Sequence, residues 1–433
     1  MTKQKKDSRI FFKIKRKKMK KQIENILNAL KNDDNYRILK QFLDSKDLQD
    51  SNGKILNLSS NDYLNLSSNK LLKQEFLDSI DSKDLYFSSS SSRILNNDFS
   101  IFERLESFLA SKFENKDALV FNSGYHLNIS CLQALVTLQN TIFLCDKFAH
   151  ASIIDGLKLG RANFKRYAHN DINDLQNLLE SHATKHDNIV ILSEELFSMD
   201  GDFAPLQDLI NLKNEYQKRG KNVLLYIDCA HSVGAVGRDG LGLAQDLGLA
   251  KDIDFLIFTF GKAINSIGAC VICDRIYKVF FINKARGFIF STALPPINVA
   301  YTLFIFKKIL NMRSERKKLS EISNFFREKF GEIFLDSKGE FIESNLPLLD
   351  SKSDFLESKI TLKGDAHIIS LILGENKKAL NLSKILLNHG IFAPAIKEPS
   401  VPRNTARLRI SLHCDIRREQ ILKLLEILKD SRF

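Results

Sequence analysis

The sequence has no run near the ~18 to 20 uninterrupted apolar residues that a membrane span needs, and its N-terminus lacks the apolar core of a secretory signal. No membrane association is expected, and the cytoplasm is the expected compartment. Cysteine is scarce: six residues, at 131, 145, 229, 270, 273 and 414, too few and too irregular for a secreted disulfide scaffold, so reduced thiols are expected. Cys270 and Cys273 form a CxxC, but it lies inside an apolar run and no second pair follows; both read as buried strand residues. His182 and His186 have the i, i+4 spacing of a helical ligand pair, yet their segment offers no further ligand and reads as an exposed connection. No metal site is expected.

Net charge is nearly absent from the body of the chain. The formal net charge is +12, but residues 1 to 21 carry nine Lys and two Arg against one Asp, which leaves +2 for the other 412 residues. A basic nucleic-acid surface is therefore not expected of the folded part. Residues 1–18 are expected to form a disordered tail or to reflect an upstream misreading of the start, because Met19 immediately precedes an amphipathic helical pattern over residues 20–30.

What is present is a hydrophobic content of 44% with 27% charged residues, ordinary for a globular protein, in a length that calls for two packed domains. From about residue 99, helix-period and strand-like segments alternate, the pattern of a mostly parallel sheet covered by helices. Strands are predicted at 118–121, 141–145, 189–192, 223–228, 255–258 and 269–273, most ending in polar or glycine-containing turns. Ligand crevices of open α/β sheets lie beyond such strand ends. After Pro295-Pro296 and a long helical stretch to about 330, strands at 366–373, 391–394 and 407–412 with helices at 376–388 and 416–429 indicate a smaller α+β domain. The expected division is a tail at 1–18, an N-terminal helical segment at 19–57, a large domain at 58–296 and a small one at 297–433.

Three segments carry candidate chemistry. Thr259-Phe-Gly-Lys262 ends a predicted buried strand with a lysine, and desolvation there lowers the pKa of an amine and frees it to condense with an aldehyde. Tyr226-Ile-Asp228-Cys-Ala-His231 places an acid at another strand end, where a carboxylate facing a heteroaromatic nitrogen keeps it protonated, as an electron-sink cofactor requires. Phe121-Asn-Ser-Gly-Tyr125 passes from strand to helix start, where free amides hold a phosphate. Each alone has a plainer reading: a snorkelling surface lysine, a turn-capping acid, a common strand-to-helix turn.

In this order and spacing, together with Ser59-Ser-Asn-Asp-Tyr-Leu64, His150-Ala-Ser-Ile153, His169-Asn-Asp171, Phe197-Ser-Met-Asp-Gly-Asp202, Ser291-Thr-Ala-Leu-Pro-Pro296 and Ala406-Arg-Leu-Arg-Ile410, they make the chain resemble the α-oxoamine synthases, from about residue 20 to the C-terminus. These are pyridoxal-phosphate enzymes of fold-type I. The resemblance implies an α/β fold with a mostly parallel seven-stranded sheet, helices on both faces, and a smaller α+β C-terminal domain. It implies that Lys262 carries pyridoxal 5'-phosphate as a Schiff base and moves the substrate α-proton, that Asp228 pairs with the pyridine nitrogen, and that His150 stacks on the ring. Ser198 and His231 are implied beside the ring's phenolic oxygen, and Thr259 with the Gly124 and Tyr125 amides at the phosphate. Thr292 is implied to reach the phosphate of the neighbouring subunit of a homodimer with shared active sites. Asn61, Arg37, Lys397 and Ser400, with His150, are implied at the substrate, although Asn61 also reads as a turn residue and Arg37 as a solvated helix charge.

The implied reaction is decarboxylative condensation of L-alanine with a pimeloyl thioester of coenzyme A or acyl carrier protein. The alternatives are a sister synthase using glycine or serine with another acyl thioester, and a catalytically silent binding relative. The chain departs from the family pattern in four places. Lys397 stands where an arginine is usual, a point charge in place of a planar fork. Serines 88 to 92 replace a glycine-rich loop, Phe102 stands where a histidine is common, and Asn265 replaces a glycine, a change that asparagine absorbs by tolerating positive φ.

Overall fold

The computed structural model describes residues 3–39, 55–96, 99–335 and 361–431, with side chains from residue 18 onward. Strands are, in chain order, β1 (Leu56–Asn57), β2 (Asp117–Phe121), β3 (Thr141–Asp146), β4 (Asn163–Tyr167), β5 (Asn188–Glu194), β6 (Asn222–Asp228), β7 (Phe255–Thr259), β8 (Ala269–Cys273), β9 (Thr361–Lys363), β10 (Ile368–Gly374), β11 (Ile391–Phe392), β12 (Ala395–Ile396) and β13 (Ala406–Ser411). A seven-stranded sheet takes the order β2-β8-β7-β6-β5-β3-β4. Its pairings are parallel except those of β8, which runs antiparallel to both β2 and β7.

The interior strands are apolar throughout because both faces are covered. Ile189 and Ile191 of β5 point into one core with Leu256 and Phe258 of β7, while Val190, Leu192, Phe255 and Ile257 point into the other. Helices Gly124–Leu135 and Ala151–Gly160 close the second core through Leu127, Cys131, Ile153 and Leu157, all fully buried. Each of the three aliphatic side chains contributes roughly 1.5–3 kcal/mol of transfer free energy. Cys270 and Cys273 are interior residues of β8, and all six cysteines are free and buried.

The edge strand β4 has no counterpart among the strands predicted from the residue pattern. It reads Asn163-Phe-Lys-Arg-Tyr167 and is mostly half-buried or exposed, so it lacks the apolar run that marks its neighbours. Lysine and arginine there suit an edge, where charge discourages further strand pairing. The C-terminal strands assemble as an antiparallel sheet β12-β13-β10-β9, and helices Asn376–Asn388 and Arg418–Asp430 flank it in sequence.

Three details at the termini and connections differ from expectation. The first helix runs Lys3–Asn32, not only over 20–30 after a disordered tail; no glycine or proline interrupts residues 1 to 52, and lysine and arginine are good helix formers. The segment 19–57 is not helical to its end, since β1 pairs in parallel with β11 and ties the N-terminal region to the C-terminal one. Residues 40–54 of that segment lie outside the described residues. His182 sits in the last turn of helix Ile172–Ala183, and both it and His186 are half-buried with ring centroids 5.4 Å apart. Among the described residues no helix is long and apolar enough to cross a membrane.

Candidate active site

The parallel strands β5, β6 and β7 end side by side, and each ends in a polar residue: Glu194, Asp228 and Thr259. Glu194 and Asp228 are register partners. Past these ends lies a cavity of about 270 Å³. Asn61, Gly124, Tyr125, His150, Asp228, His231, Thr259 and Lys262 all line it, drawn from segments up to 201 residues apart in sequence.

Lys262 lies in the loop that turns β7 back into antiparallel β8. The loop is closed by Phe260 N–H to Gly268 O (2.9 Å), Ser266 N–H to Phe260 O (2.8 Å) and Asn265 N–H to Lys262 O (2.8 Å). Asn265 takes φ 51°, the left-handed conformation that asparagine tolerates in place of glycine. Burial of the Lys262 amine lowers its pKa to about 8; the Asp228 and Glu194 carboxyls pull the other way and Arg409 adds to the fall.

Asp228 is buried, and each of its oxygens already accepts one hydrogen bond: Oδ1 from Ala230 N–H (3.0 Å) and Oδ2 from Asn128 Nδ2 (2.9 Å). Beside it, burial and the Asp228 charge push the Glu194 carboxyl well above the usual range, and Glu194 Oε1 is a buried atom without a hydrogen-bond partner. His231 is buried, and burial together with the Lys262 and Arg409 charges depresses its pKa, so its imidazole is neutral. Its Nδ1 lies 2.6 Å from the Tyr63 hydroxyl oxygen, which is also 3.0 Å from Asn61 Oδ1. Arg409 donates to the same Asn61 oxygen at 3.1 and 3.2 Å, fixing the orientation of that amide.

The helix Gly124–Leu135 points its N-terminus at the cavity. Ser123 caps it, its hydroxyl accepting from His126 N–H (3.2 Å) and its carbonyl from Leu127 N–H (2.9 Å). The amides of Gly124 and Tyr125 remain as the outward donors of that turn. A Cβ on Gly124 would stand 2.3 Å from Thr259 Cγ2, so only glycine lets this helix start press against the end of β7.

The other residues expected at the site stand apart from the cavity lining. Ser198 is buried, and its carbonyl accepts from Arg409 Nε (2.6 Å). Thr292 is exposed, with its carbonyl accepting from Asn122 Nδ2 (2.7 Å). Arg37, Lys397 and Ser400 cluster where the N-terminal segment meets the loop before β13: Arg37 Nη2 donates to Glu398 O (3.2 Å), Lys397 Nζ to Asp34 O, and Ser400 N–H to Lys397 O (3.0 Å). The serine run is pinned to the segment following Thr292 by Ser89 Oγ to Leu294 O (2.6 Å) and Ala293 N–H to Ser91 O (2.9 Å).

Sequence reasoning missed Ser123, Asn128, Ser152 and Glu194 among the lining residues, and Arg409 behind them. A signal existed for two of them. Glu194 is an acid closing an apolar strand, and Asn128 is the polar exception on a helix face of Leu127, Cys131, Leu132 and Leu135.

A buried lysine with a lowered pKa, an acid fixed by two donors, and a helix N-terminus with open amides meet at the carboxyl edge of a mostly parallel sheet. That combination defines a transferase built to hold an aldehyde cofactor bearing a phosphate and a basic ring nitrogen. The residues fit pyridoxal phosphate: the glycine-dependent turn suits its phosphate, and the acceptor-only Asp228 suits a protonated ring nitrogen. Comparison with known proteins agrees. The model of the aminotransferase class I and II family matches residues 53–428, and the chain belongs to that family. A curated 8-amino-7-oxononanoate synthase from Haemophilus ducreyi is 41% identical over 380 residues, which are 87% of this chain and 92% of that protein. The crystal structure of 8-amino-7-oxononanoate synthase from Francisella tularensis superposes with a TM-score of 0.67 at 28% identity, covering 87% of this chain and 97% of that one. A solved structure described as SPT with its PLP internal aldimine shares the fold, with a TM-score of 0.71 at 23% identity and coverage of 87% and 86%.

Proposed function

We propose that this chain is an 8-amino-7-oxononanoate synthase of the biotin pathway, joining L-alanine to a pimeloyl thioester with release of carbon dioxide and the free thiol carrier. The observation that carries the reading is the meeting of Lys262 and Asp228 in one cavity, in a chain 41% identical to a curated enzyme of that name. Pyridoxal phosphate, when bound, supplies a protonated ring into which negative charge at the substrate α-carbon is delocalised.

The protein's own groups divide the remaining work. Lys262 is the covalent anchor, and a pKa near 8 leaves an appreciable neutral fraction at physiological pH to form the link and to take the α-proton afterwards. Asp228 holds the proton on the ring nitrogen. His150 would lie against one face of the ring, and His231, neutral and anchored by Tyr63, would meet its phenolic side. Gly124 and Tyr125 amides with Thr259 hold the phosphate, and Thr292 reaches that of a neighbouring copy. Asn61, fixed by Arg409, is read at the substrate together with Arg37, Lys397 and Ser400.

The active assembly is a homodimer. Supporting this, Tyr86, Phe87, Leu95 and Phe290 are exposed apolar side chains on segments near Thr292, a surface that one chain leaves uncovered. The compartment is the cytoplasm, in keeping with six free thiols. The test is product identification after incubation with pyridoxal phosphate, alanine, glycine or serine, and a panel of acyl thioesters. Alanine with the pimeloyl thioester is expected to give the aminoketone, and Lys262→Ala to lose both turnover and visible cofactor absorbance. Turnover with glycine or serine in place of alanine, or an active Lys262→Ala variant, overturns the assignment.

A further inference from the structure

We propose that Asn128 is a positioning residue that sets two cofactor-facing groups at once, orienting the Asp228 carboxylate directly and fixing the tautomer of His150 through Ser152. The inference rests on the pyridoxal-phosphate reading above and extends it to residues outside the expected set.

Asn128 is fully buried in the middle of helix Gly124–Leu135. Its amide nitrogen donates one hydrogen to Asp228 Oδ2 (2.9 Å) and the other to Ser152 Oγ (2.9 Å), and its carbonyl accepts from the Tyr226 hydroxyl (2.6 Å). An ionised carboxylate only accepts, so the NH2 end must face Asp228 and the oxygen must face Tyr226. Tyr226 lies two residues before Asp228 on β6 and therefore on the same face of the sheet.

The direction of the remaining bonds follows. Ser152 Oγ, having accepted from Asn128, has its own hydrogen left for His150 Nδ1 at 2.7 Å. The backbone N–H of Ser152 also points at that nitrogen (3.3 Å), and an N–H can only donate. His150 Nδ1 is thus an unprotonated acceptor, and the ring carries its proton on Nε2. Partial burial, which lowers the His150 pKa, agrees with a neutral ring. Five side chains from β6, from the middle of one helix and from the start of another form one chain, Tyr226 to Asn128 to Ser152 to His150 with Asp228 as the branch. A hydrogen-bonded network of this kind, buried at Tyr226, Asn128, Ser152 and Asp228 and open at His150, holds its members to one arrangement.

The test uses cofactor affinity from fluorescence titration and the pH midpoint of the visible absorbance of the lysine-linked cofactor, neither of which depends on turnover. In Asn128→Asp a second carboxyl faces Asp228, the two share a proton, and the charge opposite the ring nitrogen falls. Affinity is expected to drop about tenfold, and the midpoint to rise by about one pH unit, the size of one lost charge-assisted hydrogen bond. Asn128→Ala moves both in the same direction, and Tyr226→Phe does so less. In the cofactor-free wild type, 15N chemical shifts are expected to show His150 protonated at Nε2. Folded Asn128 variants with wild-type affinity and midpoint overturn the proposal. Should both Asn128 variants fail to fold, an unmoved midpoint in Tyr226→Phe, or a proton on His150 Nδ1, overturns it equally. A wild-type protein that binds no pyridoxal phosphate instead refutes the reading beneath it.

Discussion

Replacing Lys262 by methionine removes the amine and keeps an unbranched apolar chain of similar length, so it isolates the energetic cost of the charge. In the folded protein burial brings the Lys262 pKa from 10.5 to about 8. An unfolded chain therefore binds this proton more tightly than the folded one. Well below pH 8 the lysine is charged in both states, and the folded state bears the full penalty, on the order of 3 kcal/mol for a difference of this size. Between pH 8 and 10.5 the folded protein has released the proton while the unfolded chain still holds it, so the penalty fades; above 10.5 it is gone. Lys262→Met is accordingly expected to abolish activity while raising the unfolding free energy of the cofactor-free protein by about 2–3 kcal/mol at pH 7, with the gain shrinking towards pH 10. Urea unfolding of both cofactor-free proteins from pH 6 to 10 measures this. A variant no more stable than wild type at pH 7, or a gain independent of pH, would show that the amine is not strained in the cavity.

Two further expectations concern the scaffold around the site. Gly124→Ala drives a Cβ against Thr259 Cγ2 and should weaken pyridoxal phosphate binding by about tenfold, while adding Thr259→Ser removes the clashing methyl and recovers most of the loss; titration of the single and double variants decides, and no recovery would place the damage elsewhere. Burial opposes charge on His169, but its hydrogen bonds to Asp146 (3.0 Å) and Asp202 (2.8 Å) outweigh it and raise the pKa to about 9. The resulting stability is complete below pH 6.5 and lost as pH rises through 9, so His169→Gln should cost on the order of 2 kcal/mol at pH 6 and far less at pH 10; equal losses at both values, by urea unfolding, would refute the linkage.

Most of the order of helices and strands, the parallel core and the placing of Lys262 just past one strand end and Asp228 at another were legible in the sequence, because each rests on local information. Buried strands need uninterrupted apolar runs, and a polar residue closing such a run marks the sheet's functional edge. Edge strand β4 escaped because exposed strands carry no such run, and the length of the first helix escaped because nothing apolar delimits it. The partnerships were decided by the tertiary structure alone. Glu194 faces Asp228 through strand register, Gly124 is required by the approach of Thr259 from 135 residues away, and Arg409 orients Asn61 across 348 residues. The role proposed for Asn128 arises only where β6 and the start of helix Ala151–Gly160 converge on its amide. Hydrogen-bond direction and desolvation depend on which groups meet in space, and chain-distant neighbours leave no mark on local sequence pattern.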